Sequence, residues 1–240
     1  MLPRGVICDR CNNYFARKVE APFLESPAIK SLRFHQELEN KRGRVPSIDG
    51  VITPGIPALV TRLPRKNLTS VEVSPDALGA IAARPNGRLI VPLTGSAPSD
   101  AVIARFLAKV ALEFMAQRLV KAPEGLAYLC DEDQLDPLRN YARIGSPNLW
   151  PVHIRTIYGA NDFVLDANGQ RVQIVHESDF LVTPMGEWYF ILAIFGVEFA
   201  INIGAPSIEG YVQWLVANQG LSPLYSEKNL ACGPMPSKAL

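Results

Sequence analysis

Apolar residues recur at helical spacing in one long stretch of the chain and in three shorter ones. In the long stretch, Ile103, Phe106, Leu107, Val110 and Phe114 recur at helical spacing, and Ser99 or Asp100 precedes them as a candidate N-cap. Three more helices are predicted at residues 25–39, at residues 133–143 before Gly145, and at residues 208–217. The chain therefore has several amphipathic helices separated by long stretches of other character.

Short apolar stretches bounded by turn residues predict β-strands. Residues 50–93 read as a meander of short strands with a hairpin turn at Asn86-Gly87. Further strands are predicted at residues 152–157, 162–166, 172–175, 180–183, 188–195 and 197–203. Because no helix separates these last strands, we expect an antiparallel sheet and an α+β fold. The apolar run 188–203 contains Gly196 and Glu198 and is too short to span a bilayer, so it predicts two buried strands.

Charge divides the chain into a basic first part and an acidic remainder. Residues 1–66 hold twelve Lys or Arg against six Asp or Glu, whereas residues 67–240 hold twelve against seventeen. The charged, glycine- and proline-containing segment 41–46 breaks the preceding helical pattern, so we place a boundary at residue 45. We call residues 1–45 the head and residues 46–240 the body. Four cysteines and the lack of a signal sequence predict a cytoplasmic protein with no membrane partner.

The head opens with a C-x-x-C pair, Cys8 and Cys11. Two thiolates at this spacing supply half of a tetrahedral zinc site, which needs four ligands. The remaining cysteines and histidines are candidates for the other half, but none has a ligand-like spacing to the pair: His35, Cys130, His153, His176 and Cys232. Two alternatives stay open, that the pair is merely two thiols near a terminus or that it is a redox pair.

The residues around this pair resemble a known family. Cys8-Asp9-Arg10-Cys11-Asn12-Asn13-Tyr14-Phe15, followed by Lys18-Val19-Glu20-Ala21-Pro22 and Leu24, resembles the second half of the HNH endonuclease domain, in the variant that ends in Asn. Segments of the body resemble the region that follows this domain in some bacterial HNH proteins: residues 101–119, 138–145, 214–215 and 222–225. The resemblance implies a partial zinc-finger-like head of the ββα-metal type, so that residues 1–45 would be the C-terminal half of a nuclease domain.

The resemblance also implies roles for individual residues. Cys8 and Cys11 would bind a structural Zn²⁺ together with an earlier cysteine pair, and Asn12 would occupy the final catalytic motif position beside a catalytic Mg²⁺ or Mn²⁺. An Asn that caps a helix is the alternative for Asn12. DNA would be the partner, contacted by basic residues of the head: Arg10, Arg17, Lys18, Lys41, Arg42 and Arg44. The alternative interpretation of these basic residues is that they form a solvent-exposed helix face near Glu25, Glu37 and Glu39 and do not contact DNA.

The chain departs from the family pattern in two ways. The family's general-base His and first cysteine pair would lie upstream of Met1, and no Asn stands just before Cys8. We therefore expect DNA hydrolysis from a full-length form and little or none from the chain as printed. One alternative is a non-catalytic module with a vestigial zinc knuckle that binds nucleic acid, or binds a protein through the body. Another is an unrelated hydrolase in which His153 and His176 face one cleft with a carboxylate.

Overall fold

Residues Met1–Val19 and Asp100–Leu240 form one unit of the fold, the larger unit, and residues Glu20–Ser99 form the smaller unit. The computed structural model describes residues 7–83, 86–145, 149–165, 168–224 and 233–234. The fold combines helices with antiparallel sheets, as the α+β prediction requires. The boundary predicted at residue 45 falls inside the smaller unit. In the described residues, no helix combines the length and apolarity needed to cross a bilayer.

The first described residues are helical, which the sequence pattern did not predict. Helix α1 (Asp9–Phe15) starts after Cys8, whose extended backbone serves as the N-cap, and Asp9 complements the positive end of the helix. A π-helical turn (Ala16–Glu20) leads from the larger unit into the smaller one, where α2 spans Ala21–Leu24. The stretch is polar enough that no apolar periodicity marks it as a helix.

Helix α3 (Pro27–His35) replaces the longer helix predicted at residues 25–39. Pro27 occupies the first turn, where its fixed φ and missing N–H are tolerated. Glu37 adopts a φ of 54°, which ends the helix soon after His35. The prediction was therefore right in type and too long at both ends.

Four strands form the antiparallel sheet of the smaller unit. They are β1 (Ile48–Ile52), β2 (Ile56–Leu63), β3 (Leu68–Val73) and β4 (Leu89–Ile90), in the order β3-β2-β1-β4. Phe34 of α3 packs with Val45, Ile48 and Val60 on one face of this sheet. The hairpin predicted at Asn86-Gly87 is wrong, because the short helix α4 (Leu78–Ala82) precedes it and β4 pairs with β1.

Three helices open the second segment of the larger unit. Helix α5 (Asp100–Leu119) is the long helix that the apolar spacing predicts, and α7 (Asp136–Ile144) ends at Gly145, whose φ of 78° suits a helix terminus. Residues Asp133–Leu135, predicted as part of the same helix, form a 3₁₀ turn. Helix α6 (Gly125–Asp131), which lies between α5 and α7 in the chain, was not predicted.

The rest of the larger unit is a set of antiparallel strands and one helix. The strands are β5 (Val152–Thr156), β6 (Asp162–Leu165), β7 (Arg171–Gln173), β8 (His176–Val182), β9 (Trp188–Ile194), β10 (Val197–Asn202) and β11 (Gly233–Pro234), and helix α8 spans Glu209–Ala217. The main sheet has the order β5-β10-β9-β8, and a small sheet has the order β11-β6-β7. The apolar run predicted as two buried strands is β9 and β10.

The main sheet lies between α5 and α8. Successive residues of a strand point to opposite faces, so Tyr189 and Phe190 mark the two sides of β9. Phe190 contacts Phe114 of α5, with ring centroids 5.6 Å apart, whereas Tyr189 contacts Tyr211 of α8, also at 5.6 Å. Both faces are thus covered by apolar helices, which is why β9 and β10 lack alternating polar positions.

The turn between β9 and β10 requires glycine. Phe195 and Gly196 both have positive φ, at 46° and 79°, as a two-residue type I′ hairpin demands. A Cβ at Gly196 would lie 2.1 Å from the carbonyl oxygen of Tyr158. No side chain fits there, so this glycine fixes the register of the two central strands.

Candidate metal and nucleic-acid site

Cys8 and Cys11 lie on one helical turn, which we call the cysteine turn (Cys8–Cys11). The backbone N–H of Cys11 donates to the Cys8 sulfur at 3.3 Å, and the N–H of Asn12 donates to the Cys8 carbonyl at 2.9 Å. Both thiols are free, with Cys8 exposed and Cys11 half-buried. The turn therefore presents two sulfurs, three residues apart in sequence, at the start of α1.

Hydrogen bonding favours the thiolate of Cys8. The N–H groups at the helix start, chiefly that of Cys11, lower the pKa of the Cys8 thiol. Thiolates, and not thiols, bind metals. The chemistry of this turn thus suits zinc, but two sulfurs fill only half of a tetrahedral shell.

No second half of the site is found among the residues that the structure describes. Within those ranges, no group of three or more His, Cys, Asp or Glu side chains could hold a metal ion. His35 belongs to the smaller unit, where its Nε2 lies 2.8 Å from the Pro92 carbonyl oxygen, and Cys130 is exposed on α6. Cys232 lies outside the described residues. The cysteine turn fits half of a zinc site and no more.

Asn12 is the fourth residue of α1 and is exposed. The alternative that it caps a helix is wrong, because Cys8 holds that position. Its side chain lies on the same short helix as both sulfurs, next in sequence to Cys11. Its assignment to the margin of a catalytic metal site stays a prediction.

Arg143 brings the end of α7 to the cysteine turn. Its Nη1 donates to the Cys11 sulfur at 3.7 Å, and its guanidinium carbon lies 5.5 Å from the centre of the Tyr14 ring. The Tyr14 hydroxyl in turn donates to the Arg143 carbonyl. Residues 129 to 132 positions apart in the chain are therefore joined by three separate interactions.

Arg105 of α5 completes this arrangement. Its Nε donates to the Ala142 carbonyl at 3.2 Å, its Nη1 to the Lys18 carbonyl at 3.4 Å, and its Nη2 to the Tyr14 hydroxyl at 2.9 Å. One guanidinium thus satisfies carbonyls near the ends of two helical segments, where intrahelical donors are missing. It ties α1 to α5 and α7. Sequence analysis could not find this role, because the residues in contact are far apart in the chain.

The six basic residues predicted to bind DNA are all exposed, but they are divided between the two units. Arg10, Arg17 and Lys18 belong to the larger unit, with Arg17 donating to the Asn13 carbonyl at 3.4 Å. The other three lie between α3 and β1 in the smaller unit: Lys41, Arg42 and Arg44. The cysteine turn therefore has the first group beside it in the same unit.

The two body histidines do not face one cleft, so that part of the hydrolase alternative is wrong. In the register of the main sheet, His153 pairs with Ala200, and His176 pairs with Ile194. Ala200 and Ile194 occupy opposite faces, so the two imidazoles do as well. Burial lowers the pKa of His153, with Arg155 adding to the effect and Glu198 opposing it.

Glu198 forms a buried polar cluster that sequence analysis missed. We call Glu198, Arg155, Tyr211 and Ser222 the Glu198 cluster. The carboxylate is fully buried; one oxygen accepts from Arg155 Nε and, at 2.7 Å, from the Tyr211 hydroxyl, and the other accepts from the Ser222 hydroxyl. Burial and the nearby carboxylate raise the pKa of Tyr211. Because both carboxylate oxygens are occupied by protein donors, the arrangement is structural.

Comparison with known proteins finds no relative of this chain. No protein-family model, no curated protein and no solved structure matches this chain. The functional argument therefore depends on the cysteine turn and the basic residues around it.

Proposed function

We propose that this chain carries the zinc-knuckle end of an HNH-type nuclease domain and that a full-length form hydrolyses DNA with a metal ion. The observation that supports this proposal is the geometry of the cysteine turn, in which two sulfurs share the first turn of α1 and Cys8 accepts the N–H of Cys11 at 3.3 Å. Structural zinc sites are built from such C-x-x-C turns in pairs.

In this proposal, Cys8 and Cys11 hold one side of the structural zinc, and a second cysteine pair holds the other. Asn12, on the same helix, stands at the edge of the catalytic site. The basic residues beside the turn neutralise backbone phosphates and hold the strand in place. A divalent cation would stabilise the negative charge that develops on the leaving oxygen. No residue of this chain is assigned as the general base, so we expect little or no cleavage from the 240-residue chain alone.

The test compares this chain with a version extended upstream in its genomic reading frame. Each protein is incubated with supercoiled plasmid and Mg²⁺ or Mn²⁺, and nicked product is followed on agarose gels. We expect activity only from the extended version, and its loss in the Cys8→Ser/Cys11→Ser double variant. Cys130→Ser is the matched control, because Cys130 is also an exposed free thiol but lies on α6. No nicking by the extended version contradicts the nuclease proposal.

Zinc content gives a second readout that does not depend on activity. Inductively coupled plasma mass spectrometry of the extended protein should find zinc, which the Cys8→Ser/Cys11→Ser variant loses and the Cys130→Ser variant keeps. Equal zinc content in all three proteins would show that the cysteine turn is not a ligand. Reading the upstream codons for a second C-x-x-C followed by an acidic residue and a His predicts which result to expect.

A non-catalytic binding module is the second candidate. It is favoured by an exposed apolar face on the sheet of the smaller unit, where Val51, Leu59 and Ile90 are 42%, 38% and 57% exposed. Exposed apolar patches of this kind mark protein interaction sites. An extended version that binds DNA, or a protein through the body, without nicking plasmid would favour this candidate over the nuclease.

A further inference from the structure

Two arginines one helical turn apart on α7 have different partners. Arg139 donates to Asp136 at 2.6 Å and also to the Leu129 carbonyl, so its charge is neutralised within the helix. Arg143 pairs with no carboxylate of the described residues and is exposed. Of these two arginines, Arg143 is the one that has no counter-charge among the described residues.

Arg143 is held in place although it lacks a counter-ion. Its guanidinium lies against the Tyr14 ring and donates to the Cys11 sulfur, so two groups of α1 orient it. A charged group that is already oriented loses less conformational freedom when it binds an anion. Exposure, positive charge and fixed orientation are the properties of an anion-binding arginine.

The helical segment that holds Arg143 carries further positive charge. Arg10, Arg17 and Lys18 are exposed on α1 and the following π turn, and no carboxylate of the described residues pairs with them. Arg105, the other nearby arginine, donates to carbonyls and to Tyr14, so its three nitrogens are already hydrogen-bonded within the protein. The surface around the cysteine turn therefore has four cationic side chains available to anions, contributed by two parts of the chain.

We propose that Arg143, although it lies outside the head, is a phosphate-contacting residue of the nucleic-acid surface built on α1. This inference rests on the proposed function, because it names a further contact of the same site. Guanidinium groups bind phosphate oxygens through paired N–H donors, and phosphate contacts fix the position of a nucleic-acid duplex on a protein. The occupant is a DNA backbone, and the body thus contributes directly to substrate binding.

The test measures binding of a short fluorescein-labelled DNA duplex by fluorescence anisotropy over a series of NaCl concentrations, using the 240-residue chain. Arg143→Gln should weaken binding by about tenfold near 0.1 M salt and reduce the salt slope by about one, as loss of one phosphate contact predicts. Arg139→Gln is the matched control and should bind as the wild type does. Arg143→Lys keeps the charge and should retain the salt slope.

The possible results separate this inference from the proposed function. If the wild type binds and Arg143→Gln binds equally well, the inference fails and the proposed function stands. If the wild type binds no DNA, the inference fails, and the plasmid assay of the extended version decides the proposed function separately. Equal melting temperatures for wild type and Arg143→Gln exclude a folding defect. If that variant does not fold, Arg143→Lys decides, because lysine lacks the paired N–H donors and should bind the duplex more weakly than the wild type. Wild-type affinity in Arg143→Lys would then overturn the inference.

Two competitors test the source of the anion. Inorganic phosphate at the same ionic strength as the salt series should not displace the duplex more than NaCl does. Vesicles of anionic phospholipid should bind wild type and Arg143→Gln alike. A loss of vesicle binding without a loss of DNA binding would overturn the proposal in favour of a lipid headgroup.

Discussion

The larger unit contains two places where an arginine meets a tyrosine, and they differ in what surrounds the charge. In the Glu198 cluster, Arg155 and Tyr211 both donate to a carboxylate that is fully buried. At the cysteine turn, Arg143 lies over Tyr14 and no carboxylate of the described residues reaches it. The same residue types thus form an ion pair with a buried carboxylate in one place and leave an arginine without a counter-ion in the other.

Burial explains the difference. An unpaired charge inside a protein costs several kcal/mol, so the fully buried Glu198 carboxylate must have a cationic partner, which Arg155 of β5 supplies. An exposed guanidinium is hydrated and costs little when it stays unpaired. A charged residue that is oriented by neighbours but not neutralised, such as Arg143, is therefore the better candidate for binding an external ligand.

The largest effect should come from Glu198→Ala. Removing this carboxylate leaves the charge of Arg155 without compensation, and breaking a buried ion pair destabilises proteins by about 3–5 kcal/mol. Asp179→Ala is the control, because it breaks an ion pair with Arg118 whose side chains are 55% and 54% exposed and should cost less than about 1 kcal/mol. Urea unfolding followed by tryptophan fluorescence measures both. If both variants lost the same free energy of unfolding, burial would not explain the difference between the two arginines.

Tyr211→Phe should have the next largest effect. The variant keeps the ring packing against Tyr189 and removes only the hydrogen bond to the Glu198 carboxylate. Hydrogen bonds to charged groups contribute about 1.5–3 kcal/mol. Tyr128, which is 63% exposed on α6, gives the control, since its replacement by Phe should change the free energy of unfolding by less than about 0.5 kcal/mol. A Tyr211→Phe protein as stable as the wild type would show that the hydroxyl is dispensable.

A smaller, pH-dependent effect is expected from His153. Its pKa is lowered in the folded protein, mainly by burial, so the unfolded chain binds the proton more readily. Stability should therefore be unaffected well above the unfolded pKa of about 6.5 and should fall as the pH drops through and below that value. In thermal melts between pH 8 and pH 5, the melting temperature of His153→Gln should fall less with decreasing pH than that of the wild type. An unchanged slope in the variant would assign the loss to other groups.

The smallest effect on stability should come from Arg143→Gln. Its side chain makes one contact to sulfur and one to an aromatic face at the surface, worth at most about 1 kcal/mol. Urea unfolding of this variant should therefore nearly match the wild type while its DNA binding falls. A loss as large as that of Glu198→Ala would mean that Arg143 is a structural residue like Arg155.

The parts of the fold that were predictable have strong local patterns. The spacing of Ile103, Phe106 and Phe114 is sufficient to predict α5, and the apolar run around Gly196 is sufficient to predict β9 and β10. Helix α1 was missed because its residues are mostly polar, so that contacts with α5 and α7, and not amphipathic spacing, stabilise it.

Of the candidate site, the sequence pattern identifies the position of the two cysteines, and their role as zinc ligands stays a prediction. C-x-x-C spacing identifies the cysteine turn, since both sulfurs lie on a single turn of helix. Arg105 and Arg143 could not be found in this way, because they meet Tyr14 and Cys11 across 91 and 132 residues of sequence. Glu198 looked like an interruption of an apolar run, although its three partners come from separate elements that close on it in the folded state.

The larger unit is discontinuous in sequence, because residues Glu20–Ser99 are inserted after its first segment. Ribosomal synthesis therefore produces α1 long before α5 and α7, with which it forms hydrogen bonds. Until then it is a seven-residue helix, well below the roughly 12 residues at which isolated helices become even marginally stable in water. Cys8 and Cys11 thus leave the ribosome well before the residues that surround them in the folded state, and any nascent chain that stops before α7 presents them without a fixed shape.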